Sequence, residues 1–296
     1  MGYKYIVGSG CSFSDSKIQS GSNGQYSTDN SWLSRFEISN TINLSRGGCG
    51  NEYIRNIIIQ QVSDLLEQGV SSDEILVGVQ FTGLSRLDML VSKKETITPN
   101  SFKKDFYLKT SIEHDPKCDT SGYICDDDMV WIHAGGSNAF VREYETRGFQ
   151  EEYFKNYYKY FATNVDFWYK FLNNILMIEW FCKSNNVNYF FHTGWNLFYP
   201  MEEGWHAYDK NKSYPDLYPE ISYLRELVSM DKFIFYESDF LNMTINRAGK
   251  KSKYGGMWQY LIEQDEINSK DSHPTIKGQE MWGDYLVNKL IERKII

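Results

Sequence analysis

Short β-type runs alternate with helical segments along the first part of the chain, and this alternation constrains the fold more than any other feature of the sequence. The β-type runs are Tyr5-Ile6-Val7, Ile42-Asn43-Leu44 and Glu74 to Phe81. Asn30 and Ser31 are predicted to cap a short helix between the first two runs. After Asn51 and before Gly69, apolar residues recur at helical spacing, namely Ile54, Ile57, Ile58, Val62 and Leu65. The resulting β-α-β-α-β order predicts a parallel sheet covered by helices.

The remainder of the chain extends this pattern. The predicted later elements are an aromatic-rich helix from Phe149 to about Asn185, a strand over 187–191, a helix over 220–230, a strand over 233–235 and a helix after Pro274. We therefore expect residues 1–296 to form a single three-layer α/β/α domain with a central parallel sheet. Two segments break the rhythm, at about 92–148 and 194–219, and are predicted to be insertions that shape the site.

Charge and hydropathy exclude several classes of partner. The chain has 31 Lys and Arg against 39 Asp and Glu, a formal net charge of −8 that would repel nucleic-acid phosphates and anionic lipid. No apolar run approaches the roughly 18 residues that a membrane span requires. The N-terminus has no apolar h-region, so no signal peptide is predicted. We expect a cytoplasmic or virion-associated protein.

The cysteines indicate a reducing environment. Their number is five, which is odd, and they are widely spaced at Cys11, Cys49, Cys118, Cys125 and Cys182. This pattern predicts free thiols rather than a disulfide framework. Because the sequence contains no CxxC pair, a zinc knuckle is not expected.

Polar, glycine-rich segments follow the predicted strands, where open α/β sheets hold their ligands. They are Gly10-Cys11-Ser12-Phe13-Ser14, residues 45–51 and residues 82–86, and Asp271-Ser272-His273-Pro274-Thr275 precedes the last helix. A serine on the first turn and a C-terminal Asp-x-His have the chain order of a nucleophile, its acid and its base. A serine hydroxyl needs such a base, and the base needs an orienting partner. The glycines could present N–H groups at a helix N-terminus to a developing oxyanion.

These blocks together resemble the SGNH/GDSL hydrolase superfamily, in particular a divergent phage-like branch whose first block reads G-C-S-F. The resemblance implies an SGNH hydrolase-like, flavodoxin-like sheet order. It also implies that Ser12 is the nucleophile, that Gly48 contributes an oxyanion N–H, and that His273 is the base with Asp271 as its partner. Residues 1–90 and about 265–296 carry the resemblance.

The sequence departs from the family pattern in three places. Cys11 stands where the first block usually has an aspartate, whose side chain is not catalytic. The third block lacks its usual asparagine, so the oxyanion donor there is Thr82, Arg86 or Asn51. Asp271 precedes His273 by two residues where the family usually has three. A Ser–His dyad assisted by a backbone carbonyl is therefore an alternative to a triad.

Several site residues also have structural interpretations. Ser12 could satisfy backbone groups in a glycine turn, Asn51 could be an N-cap, and Arg86 could pair with Asp88. His192 follows a strand beside Trp195 and is either a pocket wall or a core histidine. As a functional hypothesis, Arg86, His192 and Trp195 bind substrate.

The leading functional expectation is a serine esterase of SGNH type that hydrolyses a small acyl ester without a metal or organic cofactor. Because 16% of the residues are aromatic and sugar rings stack on aromatic side chains, we expect O-acetyl groups on a carbohydrate as the substrate. Two alternatives remain from the sequence. One is a non-catalytic module of the same fold that binds a glycan or a protein, and the other is an acyltransferase using the same serine. The oligomeric state is left open.

Overall fold

The computed structural model describes residues 2–15, 30–92, 129–134, 156–198, 218–240, 248–268 and 273–296. The strands are β1 (Tyr5–Ser9), β2 (Asn40–Asn43), β3 (Ile75–Phe81), β4 (Leu87–Ser92), β5 (Met129–Ala134), β6 (Asn188–Thr193), β7 (Tyr236–Phe240) and β8 (Ala248–Gly255). The α-helices are α1 (Asn51–Glu67), α2 (Asn164–Ser184), α3 (Ser222–Leu227), α4 (Met257–Glu263) and α5 (Ile276–Glu292). Short 3-10 helices cover Trp32–Phe36, Ser72–Glu74, Pro219–Ile221 and Met230–Lys232.

The central sheet is parallel, as the alternation of strands and helices predicts. Its four strands lie in the order β2-β1-β3-β6. β1 pairs with β2 from Tyr5 opposite Asn40 and with β3 from Tyr5 opposite Ile75. Every residue of β3 is buried because this strand lies inside the sheet with both faces covered. The fold is therefore α/β, with a four-stranded parallel sheet flanked by helices.

Aromatic side chains cover both faces of the sheet, because successive strand residues point to opposite sides. On β6, Phe190 packs against Trp32 and Phe36, on the face that α5 also covers. Its neighbour Phe191 packs against Phe81 on the opposite face, and Phe81 in turn contacts Phe171 of α2. Much of the aromatic content is therefore core, and the arrangement is compatible with three layers.

The predicted elements differ from the structure in three places. Phe233 forms only an isolated parallel bridge with Phe191, and the strand that follows, β7, pairs instead with β8 in an antiparallel hairpin. The expected single helix over 149–185 is interrupted. Residues 156–160 are helical, and α2 then begins at Asn164, where the Thr163 hydroxyl accepts the Asp166 N–H at 3.1 Å. The helix expected over 220–230 is shorter, since α3 ends at Leu227.

The two predicted insertions are described only in part. β5 lies in the insertion at about 92–148 and pairs antiparallel with β4, which directly precedes that insertion. The remainder of that insertion, and residues 199–217 of the second, lie outside the described residues. The assignment of residues 1–296 to one domain stays a prediction.

The sequence also predicts that no segment spans a membrane and that the cysteines are free thiols. Among the helices that the structure describes, none is long and apolar enough to cross a membrane. Cys11, Cys49 and Cys182 are free and buried, and burial raises the pKa of the Cys49 and Cys182 thiols well above the usual range. The other two cysteines, Cys118 and Cys125, lie outside the described residues.

Candidate functional site

The loops after β1 and β2 meet at the carboxyl edge of the sheet. The Gly10 carbonyl accepts hydrogen bonds from the Arg46 N–H at 3.0 Å and from the Cys49 thiol at 3.3 Å. Because β1 and β2 are adjacent parallel strands, the segments that follow them necessarily lie side by side. The turn of residues 10–15, which contains Ser12, and the glycine loop of residues 47–50 therefore form one surface.

Ser12 lies in a tight turn directly after β1 and is half-buried. The Cys11 carbonyl accepts the Ser14 N–H at 2.9 Å and the Asp15 N–H at 3.1 Å, which winds the chain through one helical turn. Gly10 allows this turn, since a Cβ there would lie 2.6 Å from the Ser14 hydroxyl. Within the described ranges, Ser12 makes no hydrogen bond. Its hydroxyl therefore does not serve to satisfy the backbone of the turn.

His273 lies beside this turn although it is 261 positions away in sequence. Its ring is perpendicular to that of Phe13, the residue after Ser12, with 5.7 Å between the centroids. Two contacts hold the segment, because the His273 carbonyl accepts the Asn268 N–H at 2.8 Å and the Gln279 amide donates to the Phe13 carbonyl. Asp271 lies outside the described residues, so its contact with His273 stays a prediction.

Gly48 occupies the middle of the glycine loop and has a φ of +82°. Residues with a Cβ rarely adopt this conformation. No described residue accepts a hydrogen bond from the Gly48 N–H. This N–H is therefore the member of the loop that a ligand oxygen can use.

The Asp88 carboxylate, rather than a ligand, accepts hydrogen bonds from backbone N–H groups at the N-terminus of α1. Its carboxylate is 3% exposed and accepts the Gly50 N–H at 2.7 Å and the Tyr53 N–H at 2.8 Å. A Cβ on Gly50 would lie 2.7 Å from this carboxylate, which explains the glycine. The expectation that N–H groups at this helix N-terminus face an oxyanion is wrong for Gly50 and Tyr53, because a buried anion already occupies that position.

Asn51 joins the start of α1 to the end of β3. Its amide nitrogen donates to the Thr82 carbonyl at 3.0 Å, and its amide oxygen accepts the Thr82 N–H at 2.8 Å. Gly50 is the N-cap, so the N-cap interpretation of Asn51 is wrong. The Thr82 hydroxyl is buried and, among the described residues, has no hydrogen-bond partner. Both residues thus lie at the carboxyl edge of the sheet, and their role toward an oxyanion stays a prediction.

Arg86 and Trp195 pack together next to the Ser12 turn. The Arg86 guanidinium donates to the Cys49 carbonyl at 2.9 Å and lies 5.5 Å from the centroid of the Trp195 ring. Trp195 is 9% exposed and contacts the edge of Phe13 at 5.4 Å between centroids. The pair therefore borders the same surface as Ser12 and His273.

His192 is a core histidine and not part of a pocket wall. Its side chain is 0% exposed, and its Nδ1 accepts the Trp282 indole N–H at 3.2 Å. The proton of the neutral ring therefore lies on Nε2. The ring centroid is 4.6 Å from that of Trp32, in an edge-to-face arrangement. The proposed substrate-binding role of His192 is not retained, because no substrate reaches a fully buried ring.

Burial lowers the pKa of His192 to about 3, and we expect this to make the protein acid-sensitive. Between about pH 3 and the unfolded value near 6.5, the unfolded chain binds a proton that the folded chain does not. The free energy of unfolding should therefore fall by about 1 kcal/mol per pH unit as the pH drops through this window. Urea unfolding at pH 7.0, 6.0 and 5.0 measures the slope. His192→Phe should flatten it, and an unchanged slope in that variant would contradict the assignment.

The sequence pattern did not predict β4, β7, β8 or the helix α4, and of these α4 packs against the end of β6. A Cβ on Gly256 would lie 2.5 Å from the Thr193 carbonyl and 2.7 Å from the Trp195 nitrogen, so only glycine fits. The Trp258 N–H donates to the Gly194 carbonyl at 2.9 Å. The available signal was Gly255-Gly256 ahead of apolar residues at helical spacing, namely Met257, Trp258 and Leu261. Through these contacts α4 fixes the backbone that carries Trp195.

The described residues form no metal-binding cluster and include a small recess. Within these parts of the chain, no three His, Cys, Asp or Glu side chains lie close enough to hold a metal ion. A recess between α1 and α2 beside Arg86 has a volume of about 20 Å³, enough for about one water molecule. That no cofactor is needed stays a prediction.

Comparisons with known proteins add no further assignment. No protein-family model matches the chain, and neither the curated proteins nor the solved structures contain a significant match.

Proposed function

We propose that this protein is a serine esterase of SGNH type that hydrolyses small acyl esters. The observation that carries the proposal is the position of Ser12. Its side chain is half-buried, makes no hydrogen bond with a described residue, and belongs to the same turn as Phe13, which the His273 ring contacts. A serine used only for structure would bond to its own turn. A nucleophile needs its base within hydrogen-bond reach. No hydrogen bond joins Ser12 to His273 in this structure, and we expect that contact to form when substrate is bound.

In the proposed reaction, the Ser12 oxygen attacks the ester carbonyl while His273 accepts the hydroxyl proton. The tetrahedral intermediate collapses as the bond to the leaving oxygen breaks, and His273 returns the proton to the departing alcohol. Water then attacks the acyl-enzyme with His273 again as base, which releases the acid and restores Ser12. Asp271 or a backbone carbonyl would hold the imidazolium.

The Gly48 N–H is proposed to stabilise the oxyanion, because it lies in the loop next to the Ser12 turn and has no acceptor among the described residues. Such a donor contributes about 10²–10³ in rate. Asn51 or Thr82 would provide the second donor in place of the missing third-block asparagine. Of the two, Asn51 already uses its amide on the Thr82 backbone.

The proposed substrate is an O-acetylated carbohydrate. Trp195 is 9% exposed and Arg86 lies over its ring, and this pair borders the Ser12 surface. We propose that the exposed edge of the pair meets the apolar face and hydroxyl groups of a sugar ring. Acyl transfer to a sugar would use the same serine and histidine. It differs only in the acceptor, so an acyl-enzyme that turns over only with added glycan would indicate a transferase.

A small fluorophosphonate tests the proposed nucleophile. Intact mass spectrometry of the folded native chain should show one adduct, and Ser12→Ala should show none. Ser39→Ala is the matched control, because Ser39 is exposed and precedes β2 at the opposite edge of the sheet. This variant should label like the native chain. Absence of the adduct from the folded native chain, or its persistence in Ser12→Ala, would exclude the esterase and favour a binding module.

A further inference from the structure

We infer that Asp15 is a positioning residue that holds the oxyanion loop against the nucleophile, an inference that rests on the proposed function. The Asp15 carboxylate accepts the Gly47 N–H at 2.9 Å, and the side chain is 6% exposed. Asp15 follows Ser12 by three residues in the same turn. The segment of residues 12–15 therefore carries the proposed nucleophile and also binds Gly47, the residue before Gly48.

Three charged side chains from two parts of the chain hold the backbone around Gly48. Asp15 accepts the Gly47 N–H, Arg86 donates to the Cys49 carbonyl at 2.9 Å, and Asp88 accepts the Gly50 N–H at 2.7 Å. Hydrogen bonds with an ionised partner are short and about twice as strong as neutral ones. The loop is thus fixed on both sides of Gly48, whose own N–H donates to no described residue.

Of the three, Asp15 acts most directly on the geometry of the reaction. Asp88 joins the loop to β4, and Arg86 joins it to the segment between β3 and β4. Asp15 joins it to the Ser12 turn itself, next to the bonds that the Gly10 carbonyl accepts from Arg46 and Cys49. We expect the Asp15 bond to fix the residue directly before Gly48, and with it the separation between the attacking oxygen and the Gly48 N–H. Oxyanion donors work because they are held in place before charge develops. A displacement of about 1 Å in such a site costs about 10² in rate.

Three substitutions separate positioning from charge or folding. Asp15→Asn keeps an acceptor oxygen in place, Asp15→Glu keeps the charge but moves it by one methylene, and Asp15→Ala removes both. We expect kcat for p-nitrophenyl acetate to fall by about 10²-fold in the Ala and Glu variants and by about tenfold or less in the Asn variant. KM should change little, since the loop acts on the transition state.

The ranking of kcat among the Asp15 variants decides whether the inference holds. A kcat for Asp15→Glu that exceeds that for Asp15→Asn would overturn the inference, because charge and not position would then matter. A native kcat in Asp15→Asn and in a folded Asp15→Ala would overturn it as well. Thermal unfolding of each variant identifies losses that come only from an unfolded fraction. If Asp15→Ala does not fold, the Asn and Glu variants still decide. Failure of the proposed function is distinguishable, since the native chain would then lack both the fluorophosphonate adduct and esterase activity.

Discussion

Replacement of His273 by alanine is expected to lower kcat/KM for p-nitrophenyl acetate by about 10³–10⁴-fold without unfolding the chain. The ring is the proposed base, and the structure holds it against Phe13 in the Ser12 turn. Without it the Ser12 hydroxyl keeps its proton and is a poor nucleophile at neutral pH. Fluorophosphonate labelling should slow by a similar factor, since it requires the same activated oxygen. Steady-state kinetics and timed intact mass spectra measure the two effects.

Added imidazole provides a specific check on this role. The space left against Phe13 in His273→Ala should admit imidazole, so millimolar imidazole should restore part of the lost activity. The matched control is Lys277→Ala, which removes an exposed side chain of the neighbouring helix α5 that is paired with Glu266. That variant should retain native activity. Native-like kinetics in His273→Ala would show that another group is the base.

Replacement of Asp88 by alanine is expected to lower the free energy of unfolding by about 3 kcal/mol. The substitution removes two hydrogen bonds to a charged acceptor and leaves the Gly50 and Tyr53 N–H groups without it in a buried environment. It also removes a negative charge from the N-terminus of α1. Urea unfolding monitored by circular dichroism at pH 7 measures the change.

Asp284→Ala is the matched control for this prediction. Asp284 is paired with Arg35 at 2.8 Å, but half of its side chain is exposed. Such a surface pair contributes at most about 1 kcal/mol. Asp88→Asn, which keeps one acceptor oxygen, should fall between the two. If Asp88→Ala and Asp284→Ala proved equally stable, Asp88 would not be the cap that holds α1.

The local pattern of apolar residues and glycines was sufficient to predict elements such as β3 in the sheet and α1 beside it. The run around Ile75 to Phe81 predicts β3, and the glycine at position 69 ends α1 as expected, with a φ of +85°. These predictions succeed because burial and periodicity are properties of a few neighbouring residues. The segment over 233–235 has the same β-type composition but forms one bridge only, because its neighbours pair in a separate hairpin.

The candidate site was predicted in outline from the resemblance and the strand ends. Ser12, Gly48 and His273 belong to segments that the structure brings to one edge of the sheet. Asp15 and Asp88 were not identified, since an isolated aspartate in sequence has no pattern that reveals which N–H it will meet. His192 shows the opposite error. A histidine at a strand end suggests a pocket, and only the packing of Trp32 and Trp282 around it places it in the core.

The sequence by itself determined the strands of the parallel sheet, the helices between them and the edge at which polar loops gather. These follow from side-chain periodicity and from the requirement that parallel strands have helical crossovers. The tertiary structure alone decided which loop N–H groups are already used and which remain available. Asp88 takes those of Gly50 and Tyr53, Asp15 takes that of Gly47, and Gly48 keeps its own. Hydrogen-bond partners distant in sequence are set by how elements pack, and no local pattern encodes that packing.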